Sequence, residues 1–300
     1  MTHPTGEQHD ITLGDQQATV TELGATLRRY AVAGRDVLLG FDVDASVKGG
    51  RGQQLLPWPN RIRDGRYTFE GVDQQLVLSE PKRLNASHGL ARYVPWTLLE
   101  RGNEHVTLQV RIYPQPCWPG IVEARLEHRL TEEGLEVGLE VTNLGTVAFP
   151  FGYGAHPYLT VGEDTVDEVG LTLPAASHLE VDERLLPVAV RPVDGSGLDL
   201  RGGEVVGDRL LDNAYTDLSR GPDGRWRARL SRGKRWAELW ADEGFGWAQV
   251  FTGEKLRDVG IAIEPMTCGP DAFNPGPTAA GRLVLGPAET FRGRWGIRGG

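Results

Sequence analysis

Val122-Glu123-Ala124-Arg125-Leu126-Glu127-His128-Arg129-Leu130 alternates without a break. Val122, Ala124, Leu126, His128 and Leu130 fall on one side of an extended chain, and Glu123, Arg125, Glu127 and Arg129 fall on the other, because successive strand side chains point to opposite faces. A strand with one apolar and one charged face belongs in an antiparallel sheet with a single wet side. After a turn at Glu133-Gly134 the alternation resumes with Leu135, Val137, Leu139 and Val141 against Glu136 and Glu140. The two runs together predict a hairpin.

Shorter strands of the same kind are predicted at Thr19 to Leu23, Val37 to Leu39, Gln74 to Leu78, Val106 to Ile112, Trp226 to Leu230, Ala237 to Ala241 and Arg282 to Leu285. Pro222-Asp223-Gly224 signals a turn ahead of the Trp226 strand. No stretch of a dozen residues carries a helical stripe of apolar positions, and 40 glycines with 19 prolines supply many tight turns. The expected fold is therefore all-β with few or no helices: large antiparallel sheets packed face to face in a β-sandwich. Length alone favours about two domains, but sandwiches often run to ~200–250 residues as one and no break divides this chain. A single domain over residues 1–300 is expected, with residues 1 to about 10 as a mobile tail that includes His3 and His9.

The composition, 24% charged and 39% hydrophobic, is that of a globular chain able to bury a large core. A formal net charge of −9 argues against nucleic acid and anionic membranes as partners, since phosphate binding needs a basic surface. No apolar run suggests a signal peptide or a transmembrane helix. Cys117 and Cys268 form neither a disulfide framework nor a metal spacing, so a cytoplasmic location is expected. Cys268 reads as a small apolar filler.

Five polar stretches stand out from the strands. In Ile261-Ala262-Ile263-Glu264-Pro265, alternation from Val259 through Ile263 delivers a carboxylate just before a proline, a position biased toward extended backbone. Glu264 is thus expected at a stiff strand end, either as a general base or as a glutamate that merely ends the strand. His156 also precedes a proline, in Gly152-Tyr153-Gly154-Ala155-His156-Pro157-Tyr158, and His88 stands before Gly89 in Ser87-His88-Gly89-Leu90-Ala91-Arg92. His105 and His178 read as surface or structural residues; His128, on the apolar face of its strand, reads as a satisfied core histidine. Pro57-Trp58-Pro59-Asn60-Arg61 offers rigid donors in Asn60 and Arg61, and Trp58 is either a floor for an apolar ligand face or core. Asp212, in Leu211-Asp212-Asn213-Ala214-Tyr215, is either a ligand or an Asx turn.

In their order along the chain these pieces resemble the aldose 1-epimerase (galactose mutarotase) family over essentially the whole length. The pieces are Pro59-Asn60-Arg61-Ile62 with Gly65-Arg66-Tyr67; His88-Gly89; Gly154-Ala155-His156-Pro157-Tyr158; Asp212 with Tyr215; Ile263-Glu264-Pro265 with Asp271 and Asn274; and Gly286-Pro287-Ala288-Glu289 before Trp295. The resemblance implies a bacterial-branch β-sandwich that opens and recloses the pyranose ring of a free aldohexose. By motif, Glu264 would take the proton of the anomeric hydroxyl and His156 would protonate the ring oxygen. His88, Arg61 and Asp212, with Asn60, Trp58 and Arg92, would hold the sugar.

Ring opening moves one proton off an oxygen and another onto a second oxygen, so it calls for an acid and a base, expected on opposite sides of the sugar, with no cofactor and no metal. A histidine with a reference pKa of ~6.5 can donate near neutrality, and a glutamate, ordinarily ~4.3, serves better when burial raises it. His88-Gly89-Leu90-Ala91-Arg92 also resembles the hexose-6-phosphate epimerases, in which arginines receive the phosphate, so a sugar-phosphate 1-epimerase is the nearest rival. A non-catalytic sugar-binding module and a metal site on His88, His156 and Glu264 are more distant ones. The identity of the aldose and the choice between monomer and homodimer stay open.

Overall fold

The computed structural model describes residues 2–162, 165–253 and 260–300. The hairpin that opens the sequence reading is present: Val122–Thr131 pairs antiparallel with Gly134–Asn143, from Val122 opposite Asn143 to Thr131 opposite Gly134. Its inward residues Val122, Ala124, Leu126, Leu130, Leu135, Val137, Leu139 and Val141 are all buried, while Arg125 is exposed. The hairpin sits inside one of two large sheets. Among the described residues that sheet has eight strands, in the order Thr97–Arg101, His105–Ile112, Val122–Thr131, Gly134–Asn143, Thr290–Gly299, Arg235–Ala241, Trp226–Arg232 and Gly170–Thr172.

The second sheet has twelve strands among the described residues. Its main path runs Gln8–Leu13, Gln16–Thr21, Leu27–Val32, Arg35–Leu38, Tyr158–Leu159, Ile261–Met266, Trp247–Phe251, Asp212–Leu218, Ala175–Val181 and Pro187–Pro192. One continuous apolar core, including Leu126, Val137, Trp295, Val20, Tyr30, Val250 and Ile263, joins the facing sides of both sheets. That is the all-β sandwich expected. Two single-turn 3₁₀ segments, Val166–Glu168 and Ala279–Gly281, are the helical elements among the described residues.

Three expectations need correcting here. The N-terminal ten residues are not a loose tail: Gln8–Leu13 pairs with Gln16–Thr21, and alternation puts His9 and Ile11 against the core at 3% and 1% exposure. His128 is wholly buried as expected, but it is not satisfied, since among the described residues neither ring nitrogen meets a hydrogen-bonding partner. Glu264 does not end its strand, which continues through Pro265, paired with Ala248, to Met266. On its other side Ile261–Met266 faces two short strands, Gly154–Ala155 and Tyr158–Leu159, with a gap at His156-Pro157. Pro265 lacks only an N–H, and it lies beside this interruption in the ladder. Val259 lies outside the described residues.

Candidate active site

The gap in the ladder is where the site forms. Gly154 pairs with Met266 and Tyr158 with Ala262, and both pairs keep one register, in which His156 falls opposite Glu264. The two residues that precede prolines are thus cross-strand neighbours, with His156 Nε2 3.3 Å from Glu264 Oε1. They lie side by side rather than across a sugar-sized gap, which corrects the expected placement. Period two decides the face: Ile261 and Ile263 enter the core, so Glu264 points to the other side of the sheet. In the adjacent strand Ala248 and Val250 enter the core, so Gln249, directly opposite Glu264, shares that face. Asp212, in the next strand, accepts from Gln249 Nε2 at 2.6 Å.

A small second layer covers this face. Arg61–Arg63 pairs with Asn85–Ser87, and the loops at its ends bring in Asn60 and His88, both with left-handed backbone (φ 53° and 63°). Asn and His adopt that region more readily than most non-glycine residues. At Gly89 an added Cβ would stand 2.1 Å from the Leu56 carbonyl oxygen, which explains a glycine after His88. His88 N donates to Asn60 O at 2.8 Å and Asn60 N donates to His88 Nδ1 at 3.2 Å. An imidazole that accepts at Nδ1 carries its hydrogen at Nε2, so His88 is a donor. Asn60 Nδ2 donates to Gln249 Oε1 (3.3 Å), and Arg61 donates both to Asn60 Oδ1 (3.2 Å) and, through two nitrogens, to Glu80 at 2.8 and 3.1 Å. One polarised chain therefore runs from Glu80 through Arg61, Asn60 and Gln249 to Asp212.

Burial governs the electrostatics. Glu264 is 2% exposed, and loss of water, with Asp212 adding like charge, pushes its carboxyl well above the ordinary range against the pull of Arg61. Burial likewise pulls His156 down to about 3, with Arg92 and Arg61 adding to the effect, and holds His88 well below its usual value. Burial opposes ionisation of Glu80 too, but the Arg61 hydrogen bond and charge, with Asn85 and Arg83, keep that carboxyl below its ordinary value. Arg92 is different: it donates to Ser87 O at 3.3 Å and Gln53 Oε1 at 3.5 Å, and among the described residues it has no carboxylate partner.

Glu264, His156, Arg61, His88, Asp212, Asn60 and Arg92 all line one cavity of about 370 Å³. Trp58 does not. It is 3% exposed and packs in the core against Trp118 and Phe273, at ring distances of 6.3 and 6.4 Å, in the loop between the strands Gln54–Leu55 and Arg61–Arg63. The aromatics that do line the cavity are Tyr93 and Phe251. Gln249 and Glu80 also went unremarked in the sequence. Gln249 carried a readable signal, since it is the one polar residue in Trp247-Ala248-Gln249-Val250-Phe251. Glu80 carried none, because its partner lies across a loop.

A buried carboxyl and imidazole in contact are thus ringed by hydrogen-bond donors and acceptors at the face of a large β-sandwich. The chain belongs to the aldose 1-epimerase family, whose sequence profile matches residues 9–298. It is 31% identical over 275 residues to the Escherichia coli K12 protein YihR, covering 91% of this chain and 88% of that one. In fold it is similar to a galactose mutarotase-like protein from Clostridium acetobutylicum, with TM-score 0.87, 16% identity, and 97% and 94% of the two chains covered. It is also similar to a galactose 1-epimerase from Lactobacillus acidophilus, with TM-score 0.78, 20% identity, and 96% and 93% covered. The protein is an isomerase of the sugar epimerase class.

Proposed function

We propose that the site interconverts the α and β anomers of a free aldohexose, with Glu264 and His156 as its proton-transfer pair. The observation that carries this reading is their 3.3 Å contact at the buried side of the cavity. The anomeric oxygen O1 and the ring oxygen O5 are bonded to the same carbon, so adjacent catalytic groups suit them. Glu264 takes the O1 proton as C1=O1 forms and the C1–O5 bond breaks, and His156 gives its proton to O5. The open aldehyde turns about C1–C2, and the reverse transfers close the ring on the other face.

Ring opening takes the pair from carboxylate and imidazolium to carboxylic acid and neutral imidazole. Burial favours the second state, since it penalises both charges. The protonation state that the pocket prefers is thus the one that accompanies the open chain, the species least stable in water. Each positioned acid or base is typically worth ~10²–10⁴ in rate. His88, donating from Nε2, with Arg61, Asp212 and Asn60, holds the hydroxyls.

A second reading rests on Arg92. A mostly buried guanidinium without a carboxylate partner, lining the same cavity, suits a sugar with an anionic substituent such as a 6-phosphate. Polarimetry or exchange NMR on fresh α-D-glucose, α-D-galactose and glucose 6-phosphate separates the two. The free-sugar reading expects faster equilibration of a neutral hexose; activity confined to the phosphate, and abolished in Arg92→Ala, selects the second. Binding of a sugar with no acceleration for any aldose would leave a binding module and remove both.

A further inference from the structure

We propose that Tyr158 and the turn at Gly49–Gln53 form a clamp that fixes the plane of the His156 imidazole, making Tyr158 and Gly50 positioning residues for proton transfer. The inference rests on the acid–base reading above. An active-site histidine is commonly aimed by a hydrogen bond from its second ring nitrogen to a carboxylate or carbonyl. His156 lacks that support: among the described residues Nδ1 meets no partner outside its own residue. Something else must hold the ring against rotation if Nε2 is to stay on target.

Three contacts supply the restraint. The Tyr158 ring lies nearly parallel to the imidazole, 13° between planes and 5.3 Å between centroids, and Tyr158 is fully buried. Gly50 closes on the ring's Cδ2–Nε2 side, where an added Cβ would stand 2.8 Å from Cδ2 and 3.1 Å from Nε2. The turn is then tied to both partners: the Tyr158 hydroxyl donates to Gly49 O at 3.1 Å, Gly52 N donates to His156 O at 2.9 Å, and His156 N donates to Gln53 O at 3.0 Å. These bonds close a circuit through Gly49, Tyr158, His156 and Gly52. Gly49, Gly50 and Gly52 have φ of 63°, 72° and 69°, a left-handed path that glycine takes without penalty. The stretch Lys48-Gly49-Gly50-Arg51-Gly52 is thereby explained as part of the site.

A ring that swings by about 1 Å can lose on the order of 10²-fold in rate while the sugar still binds. Tyr158→Leu is therefore expected to lower kcat by roughly 10–100-fold with KM nearly unchanged, and Tyr158→Phe, which keeps the ring, to recover most of that loss. Gly50→Ala should fall like Tyr158→Leu. Gly34→Ala controls for backbone strain, since Gly34 has a similar φ of 75° but nothing within 4 Å of an added Cβ, and it should keep wild-type kcat. An activity-independent readout accompanies these: in ¹³C-histidine NMR the His156 ring proton should be sharp and shifted upfield by the Tyr158 ring in wild type and Tyr158→Phe, and broadened toward its unstacked position in Tyr158→Leu. A Tyr158→Leu protein with an unchanged His156 resonance, or with only KM raised, overturns the clamp. Wild type without activity on any aldose overturns the acid–base reading instead, and leaves the resonance to decide the clamp.

Discussion

Replacing His128 with leucine should make the fold less sensitive to acid, by an amount that follows from its burial. The ring is fully enclosed between the cross-strand neighbours Val106 and Val137, and with no polar partner its pKa is pulled down to about 3 by loss of water alone. The unfolded chain binds a proton there below about 6.5, whereas the folded chain does so only near 3. Between those values the unfolded state holds more protons, so stability is intact above pH 6.5 and drains away as pH falls. The full window is worth roughly 5 kcal/mol at about 1.4 kcal/mol per unit, and the part spent between pH 7 and pH 5 is about 2 kcal/mol. Urea titrations of wild type and His128→Leu at both pH values measure it. His156, His88 and His9 also have lowered pKa values, but they remain in both proteins and cancel from the difference. The leucine protein should gain about 2 kcal/mol on wild type as pH drops from 7 to 5, whatever the offset at pH 7 from packing. A gap that is constant to within about 0.5 kcal/mol would show that the folded histidine takes up its proton normally and refute the reasoning.

Other consequences follow from the site. Because both working states of the Glu264–His156 pair hold a single proton between them, kcat/KM should stay level as pH falls through 4.5 and decline only as His156, pulled down to about 3, takes up a second proton; a decline beginning near 4.5 would indicate an ordinary carboxylate base. Asp271→Ala should cost roughly 2–4 kcal/mol in denaturant titrations, since it strands the Arg63 N–H, removes one of the two hydrogen bonds of Asn274 Nδ2, both donors standing 2.8 Å from Asp271 Oδ1, and puts alanine at a left-handed φ of 57°. Trp58→Ala should destabilise by about 3–5 kcal/mol, as core truncations do, while the KM of the surviving folded fraction stays near wild type; a large KM change at full stability would return Trp58 to the sugar site.

What was legible in the sequence was whatever period two and local stiffness could encode. The hairpin of Val122–Thr131 with Gly134–Asn143 declared its register through its alternation, and Glu264 and His156 declared themselves by standing before prolines. That the two prolines mark one interruption in a ladder was not readable, because strand pairing across more than a hundred residues leaves no local trace. Trp58 misled because a tryptophan beside polar residues looks the same in sequence whether it faces a ligand or the core. The ordering of the first ten or so residues was not legible for a related reason: an edge strand carrying His9 and Ile11 is too short for alternation to stand out. Gly50 and Tyr158 act through contacts with His156 that only folding creates.

The central claim is that Glu264 and His156 together move the protons of ring opening. Equilibration of freshly dissolved α-D-glucose and α-D-galactose, followed by polarimetry with wild type, Glu264→Gln and His156→Ala at matched concentration, tests it directly. Wild type should outpace buffer, and each variant should lose ~10²–10⁴ in kcat while melting as a folded protein. Full activity in either folded variant would contradict it.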